Sequence, residues 1–119
     1  MFRPIALAAI IAASAVSPAL AHAMLESAVP AVGSVVATPP GELDCVFTEA
    51  LEPAFSTLVV RDSAGKRVDA GKAHLEAGNP KRMIVGLHRL APGTYTATWH
   101  AVSVDTHRTE GRFTFTVAP

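Results

Sequence analysis

Leu90-Ala91-Pro92-Gly93-Thr94-Tyr95-Thr96-Ala97-Thr98-Trp99-His100-Ala101 is the stretch that decides the fold of this 119-residue chain. Pro92-Gly93 is turn chemistry, and beyond it two kinds of residue alternate. Tyr95, Ala97, Trp99 and Ala101 fall on one face of an extended strand, and Thr94, Thr96, Thr98 and His100 on the other. Such a strand is buried on one side and wet on the other. A tyrosine entering a penultimate strand just after a turn occupies the place of a tyrosine corner, whose hydroxyl returns to backbone. The lone tryptophan then plugs the space between two sheets.

The neighbouring segments repeat the period. Downstream, Phe113, Phe115 and Val117 alternate with Arg112, Thr114 and Thr116. Upstream, Leu43, Cys45 and Phe47 alternate with Asp44, Val46 and Thr48, which makes Cys45 a small core residue. A strand over residues 56–61 ends at Asp62-Ser63-Ala64-Gly65-Lys66, where Gly65 allows Arg67 and Val68 to return as a hairpin. A polar stretch carrying His74 and a turn at Gly78-Asn79-Pro80 lead to a strand over residues 82–87. Pro30, Gly33, Pro39, Pro40 and Gly41 interrupt the chain between its first strands. No segment has a helical period of useful length. The pattern predicts an all-β, immunoglobulin-like Greek-key β-sandwich of about seven strands.

The amino-terminal segment has a different character. Arg3, an alanine-rich apolar run over residues 5–16, Pro18 and small residues at Ala19 and Ala21 are the parts of a cleavable secretory signal. The run is shorter than the roughly 20 residues a membrane span needs. Residues 1–21 are therefore expected to be removed on export through the general route, leaving residues 22–119 as one domain in the periplasm. Arg3 leaves with the signal, so nine basic side chains face ten acidic ones, with no basic stripe for nucleic acid or anionic lipid. Cys45 is the only cysteine, so no intramolecular disulfide supports the core.

Cleavage after Ala21 makes His22 the first residue. A free α-amino nitrogen and the Nδ1 of that histidine close a six-membered chelate ring on a metal, which no internal histidine does. In Ser103-Val104-Asp105-Thr106-His107, between the last two strands, Asp105 and His107 are two apart. In an extended stretch their side chains leave the backbone on one side and converge on one ion. His22, Asp105 and His107 then supply three nitrogens and one oxygen, a set suited to one tetragonal copper(II) ion. Zinc could use the same ligands tetrahedrally, but copper(II) stands higher in the affinity order.

The other candidates have plainer readings. His74 and His88 are read as solvated surface histidines, and His100 as an outward-facing strand residue. Met1 leaves with the signal, and Met83 sits in a strand pattern as core filling, so only Met24 is left as a thioether near the mature start.

Taken in order, several motifs resemble one family. They are His22-Ala23, Ser27 to Pro30 with Gly33, Leu43 to Glu49 ending in Phe-Thr-Glu, Pro-Gly-Thr-Tyr, Trp99, the Ser103 to His107 segment, and Gly111 to Val117. Their order and spacing are similar to the periplasmic copper resistance protein CopC family over nearly the whole of residues 22–119. The resemblance implies a copper(II)-binding sandwich with ligands at His22, Asp105 and His107, and Glu49 as an outer-shell partner that fixes a ligand's orientation. It lacks the methionine-rich copper(I) loop of some members, and Arg108 stands where a proline commonly follows the ligand histidine. The expected function is sequestering or carrying copper for homeostasis or resistance, as a monomer that meets any membrane copper transporter in trans. No enzyme activity is expected. The competing readings are a copper monooxygenase with a histidine-brace site, as in lytic polysaccharide monooxygenases, and a metal-free structural sandwich. Asp105 weighs against the first by filling a position that oxygen would need.

Overall fold

The alternating rows close on one another in a computed structural model that describes residues 23–119. The strands are β1 (Leu25–Val29), β2 (Val35–Val36), β3 (Glu42–Phe47), β4 (Thr57–Arg61), β5 (Asp69–Glu76), β6 (Asn79–Leu87), β7 (Gly93–Val102) and β8 (Arg108–Val117). They form two four-stranded sheets, in the orders β1-β3-β6-β5 and β2-β8-β7-β4. The chain changes sheet at every connection except β5–β6 and β7–β8, giving an all-β Greek-key sandwich. Every pairing is antiparallel except that of β2, which runs parallel to β8.

Eight strands stand where about seven were expected. The stretch read only as polar around His74 is β5, an edge strand paired to β6. Gly71, at φ 84°, and a register shift between Ala70 and His74 form a bulge that hides its period. The following turn is Ala77-Gly78, with Gly78 at φ 80°, so Asn79 and Pro80 already belong to β6. After β4 the return is short. The Val68 N–H donates to the Val60 carbonyl at 2.8 Å, and then the chain crosses to the other sheet. Asp69 completes that crossing: its Oδ1 accepts the Val60 N–H at 3.1 Å and its carboxylate pairs with Arg67.

Leu43, Cys45 and Phe47 of β3 face Tyr95, Ala97, Trp99 and Ala101 of β7, and all are buried. The Phe47 and Trp99 rings meet edge to face at 5.2 Å and 74°, linking the two sheets. Tyr95 stacks on Phe115 at 5.6 Å, and its hydroxyl donates to the Ala91 carbonyl at 2.5 Å. That bond is the tyrosine corner. Gly111 pairs with Trp99 in register, and a Cβ placed on it would lie 2.6 Å from the Trp99 ring, so only glycine fits beneath the indole. Burial, with the Asp44 charge adding to it, pushes the Cys45 thiol up to about 12. Cys45 is thus an inert core residue, and Met83 is buried as well.

Candidate metal site

The inward rows of β7 and β8 do not end in apolar residues at the hairpin that joins them. Ser103 continues the row of Tyr95, Ala97, Trp99 and Ala101, and Thr109 precedes Gly111, Phe113 and Phe115 on the other. Val102 and Arg108 are the last paired residues, and residues 103–107 form the loop.

Ser103 organises that loop. Its N–H donates to the His107 carbonyl at 3.0 Å, and its carbonyl accepts the Thr106 N–H at 2.8 Å. Thr106 takes a φ of 73°, the left-handed region. The segment is therefore a closed turn, not the extended stretch inferred from its spacing. Asp105 and His107 still meet, because the turn folds His107 back until its Nδ1 lies 3.2 Å from Asp105 Oδ1. The same oxygen accepts the Ser103 hydroxyl and, at 3.4 Å, the His107 N–H. The Ser103 hydrogen bond, followed by the contacts with His107, holds the Asp105 carboxyl below the usual range against the opposing effect of desolvation. Ser103 is buried, whereas Asp105 and His107 are exposed.

Two further contacts anchor the loop to the end of β3. The Val104 N–H donates to the Ala50 carbonyl at 3.1 Å, and Ser103 bridges Leu51. These residues follow Glu49, which is half-buried. Among the described residues no three His, Cys, Asp or Glu side chains gather closely enough to hold a metal. Asp105 and His107 are brought together, and Glu49 does not complete a three-membered group with them. His22 and the signal assigned to residues 1–21 lie outside the described residues.

The chain just after His22 is fixed at the same end of the sandwich. Ala23 is fully buried, and its carbonyl accepts the Thr109 hydroxyl at 2.6 Å. Met24 and Thr48 exchange two bonds of 2.9 Å, the Met24 N–H to Thr48 Oγ1 and the Thr48 N–H to the Met24 carbonyl. Sequence reading missed Ser103, Thr109 and Thr48. For Ser103 and Thr109 the available signal was a hydroxyl residue on an inward row where an apolar one would extend the core; Thr48, exposed on the outward face, carries no such signal. His74 and His88 are exposed, as expected, and lie on β5 and just after β6. His100 also faces outward and pairs with Glu110 across the strands at 3.0 Å.

A Greek-key sandwich with an Asp-His turn at one end, beside a pinned amino-terminal segment, defines a class of small β-sandwich proteins with a polar site at one pole. The CopC domain model matches residues 25–118, and the chain belongs to the CopC family. Protein YobA of Escherichia coli (strain K12) is 37% identical over 111 residues, covering 92% of this chain and 90% of its own length. The crystal structure of CopC from Methylosinus trichosporium OB3b superposes with a TM-score of 0.77 at 34% identity, over 82% of this chain and 95% of that one. PcoC, a methionine-rich copper resistance protein from Escherichia coli, gives 0.74 at 35% identity, over 82% and 99%.

Proposed function

We propose that residues 22–119 form a periplasmic copper(II) carrier holding one ion through the His22 amine and imidazole, Asp105 and His107. The observation that carries this reading is the Asp105–His107 contact, made in a turn at the pole where the chain after His22 is pinned. Family membership supports it, because relatives bear the name of copper resistance proteins. Asp105 Oδ1 is taken up by Ser103 and His107, which leaves Oδ2 as the atom for the ion. Three nitrogens and a carboxylate oxygen are a donor set for the oxidised ion. PcoC is described as methionine-rich, whereas this chain has three methionines, of which Met83 is buried. Copper(I) therefore finds no thioether cluster here. Glu49 acts from outside the ligand set, its strand end being tied to the loop through Ala50 and Leu51. Loading and release need no turnover, so the protein acts as a carrier that passes copper to a membrane transporter in trans.

The test uses the protein beginning at His22 beside a form with one extra residue before it. Each is titrated with copper(II) against a competing chelator, and intact mass gives the stoichiometry. The expected result is one tightly bound ion in the first form and loss of tight binding in the second, whose amine has become an amide. Equal affinity would end the chelate model. A monooxygenase would instead sustain reductant-driven oxidation of a polysaccharide, abolished by His107→Ala.

A further inference from the structure

We infer that Thr109 is a positioning residue for copper binding, holding the amino-terminal ligand in place through the Ala23 carbonyl. The inference rests on the His22 chelate proposed above. The bond spans 86 positions of sequence and joins the two sheets, since Ala23 leads into β1 and Thr109 belongs to β8. Thr109 lies on the inward row of its strand and two residues beyond His107, about 7 Å along an extended chain. One peptide bond separates Ala23 from His22. The hydroxyl therefore connects the terminal segment to the strand that follows the turn histidine.

The bond has few substitutes. Ala23 is fully buried, so its carbonyl has no ready access to water if the hydroxyl is removed. Met24 stays clamped to Thr48, which confines the effect to the residue immediately behind His22. With Thr109 in place, that residue is ordered before copper arrives. Without it, binding must order the residue. Fixing one residue's backbone costs enough to weaken binding about 5–30-fold.

Thr109→Val keeps the branched shape suited to a strand and removes only the hydroxyl. Thr109→Ser keeps the hydroxyl. Both, with wild type and His107→Ala, are prepared beginning at His22 and titrated with copper(II) against a chelator, alongside electron spin resonance and thermal melting. Thr109→Val should bind about 5–30-fold more weakly with an unchanged resonance spectrum, because the ligand atoms are the same. Thr109→Ser should restore binding to within about twofold. A purely structural role would lower the melting temperature of Thr109→Val and leave the affinity of the folded protein unchanged. Wild-type affinity in Thr109→Val while His107→Ala loses binding would overturn the inference and leave the carrier reading intact. Wild-type affinity in both would overturn the two together. If Thr109→Val does not fold, weak binding by a folded Thr109→Ser also overturns it.

Discussion

Replacing Gly111 with alanine tests how the core is closed beside the site. A Cβ there would lie 2.6 Å from Trp99 Cζ2 and 2.9 Å from Cε2, closer than real Cβ contacts come. The rigid indole cannot retreat easily, because Trp99 is only 5% exposed and its ring meets Phe47 at 5.2 Å. Overpacking of this kind costs about 1–3 kcal/mol, and a Cβ that clashes with two atoms of one ring calls for the upper end. Gly111 is not in the left-handed region, so alanine adds no backbone strain and recovers about 0.5–1 kcal/mol of chain entropy. The net loss is about 2 kcal/mol. At about 4–8 °C per kcal/mol for a domain of this size, Tm should fall by about 8–16 °C. Far-ultraviolet circular dichroism melts measure this, with the near-ultraviolet tryptophan band as a second readout. Gly41→Ala is the control, since nothing lies within 4 Å of a Cβ there, and it should stay within about 0.5 kcal/mol of wild type. A Gly111→Ala Tm within about 2 °C of wild type, with the tryptophan band unchanged, would refute the packing argument.

Asp69→Ala should cost about 1–3 kcal/mol in urea unfolding, because the Val60 N–H loses its acceptor. Burial raises the Asp69 carboxyl, but its bonds to Arg67 and to backbone N–H groups outweigh that and leave it below the ordinary value. Its stabilisation is therefore complete above the unfolded carboxylate pKa of about 3.9 and is lost as pH falls through the lower folded value. The variant's stability should change less over that acid range. His107→Ala and Asp105→Ala should weaken copper(II) binding and alter its electron spin resonance spectrum, while His74→Ala and His88→Ala leave both alone. Glu49→Gln should cost about 10–100-fold in affinity in the same titration. Acidification should release copper in a pH-stepped titration, since protons compete with the ion for the terminal amine and the imidazoles.

Alternation carried most of the fold. Leu43, Tyr95, Trp99 and Phe115 sit in rows that periodicity alone finds, and Tyr95 was placed by its turn. β5 was missed because Gly71 interrupts it and its inward apolar row is only Ala73 and Leu75, too short to mark a period. β2 is too short to carry a period, and its pairing to β8 is long-range. At the site, the nearness of Asp105 and His107 was anticipated for the wrong reason. Their meeting depends on a left-handed Thr106 and a buried Ser103, and spacing encodes neither. The clamps on Ala23 and Met24 join residues far apart in sequence, and nothing local announces them.

The chain has one tryptophan, and its seat between the sheets makes it an optical reporter. An indole this enclosed emits toward the blue, and unfolding moves that emission to the red. Trp99 stands four residues before Ser103, about 13 Å along the strand. A paramagnetic copper(II) ion at the loop would quench an emitter at that range without moving its wavelength. Loss of intensity then reports loading and change of colour reports unfolding, so one unlabelled sample separates the two.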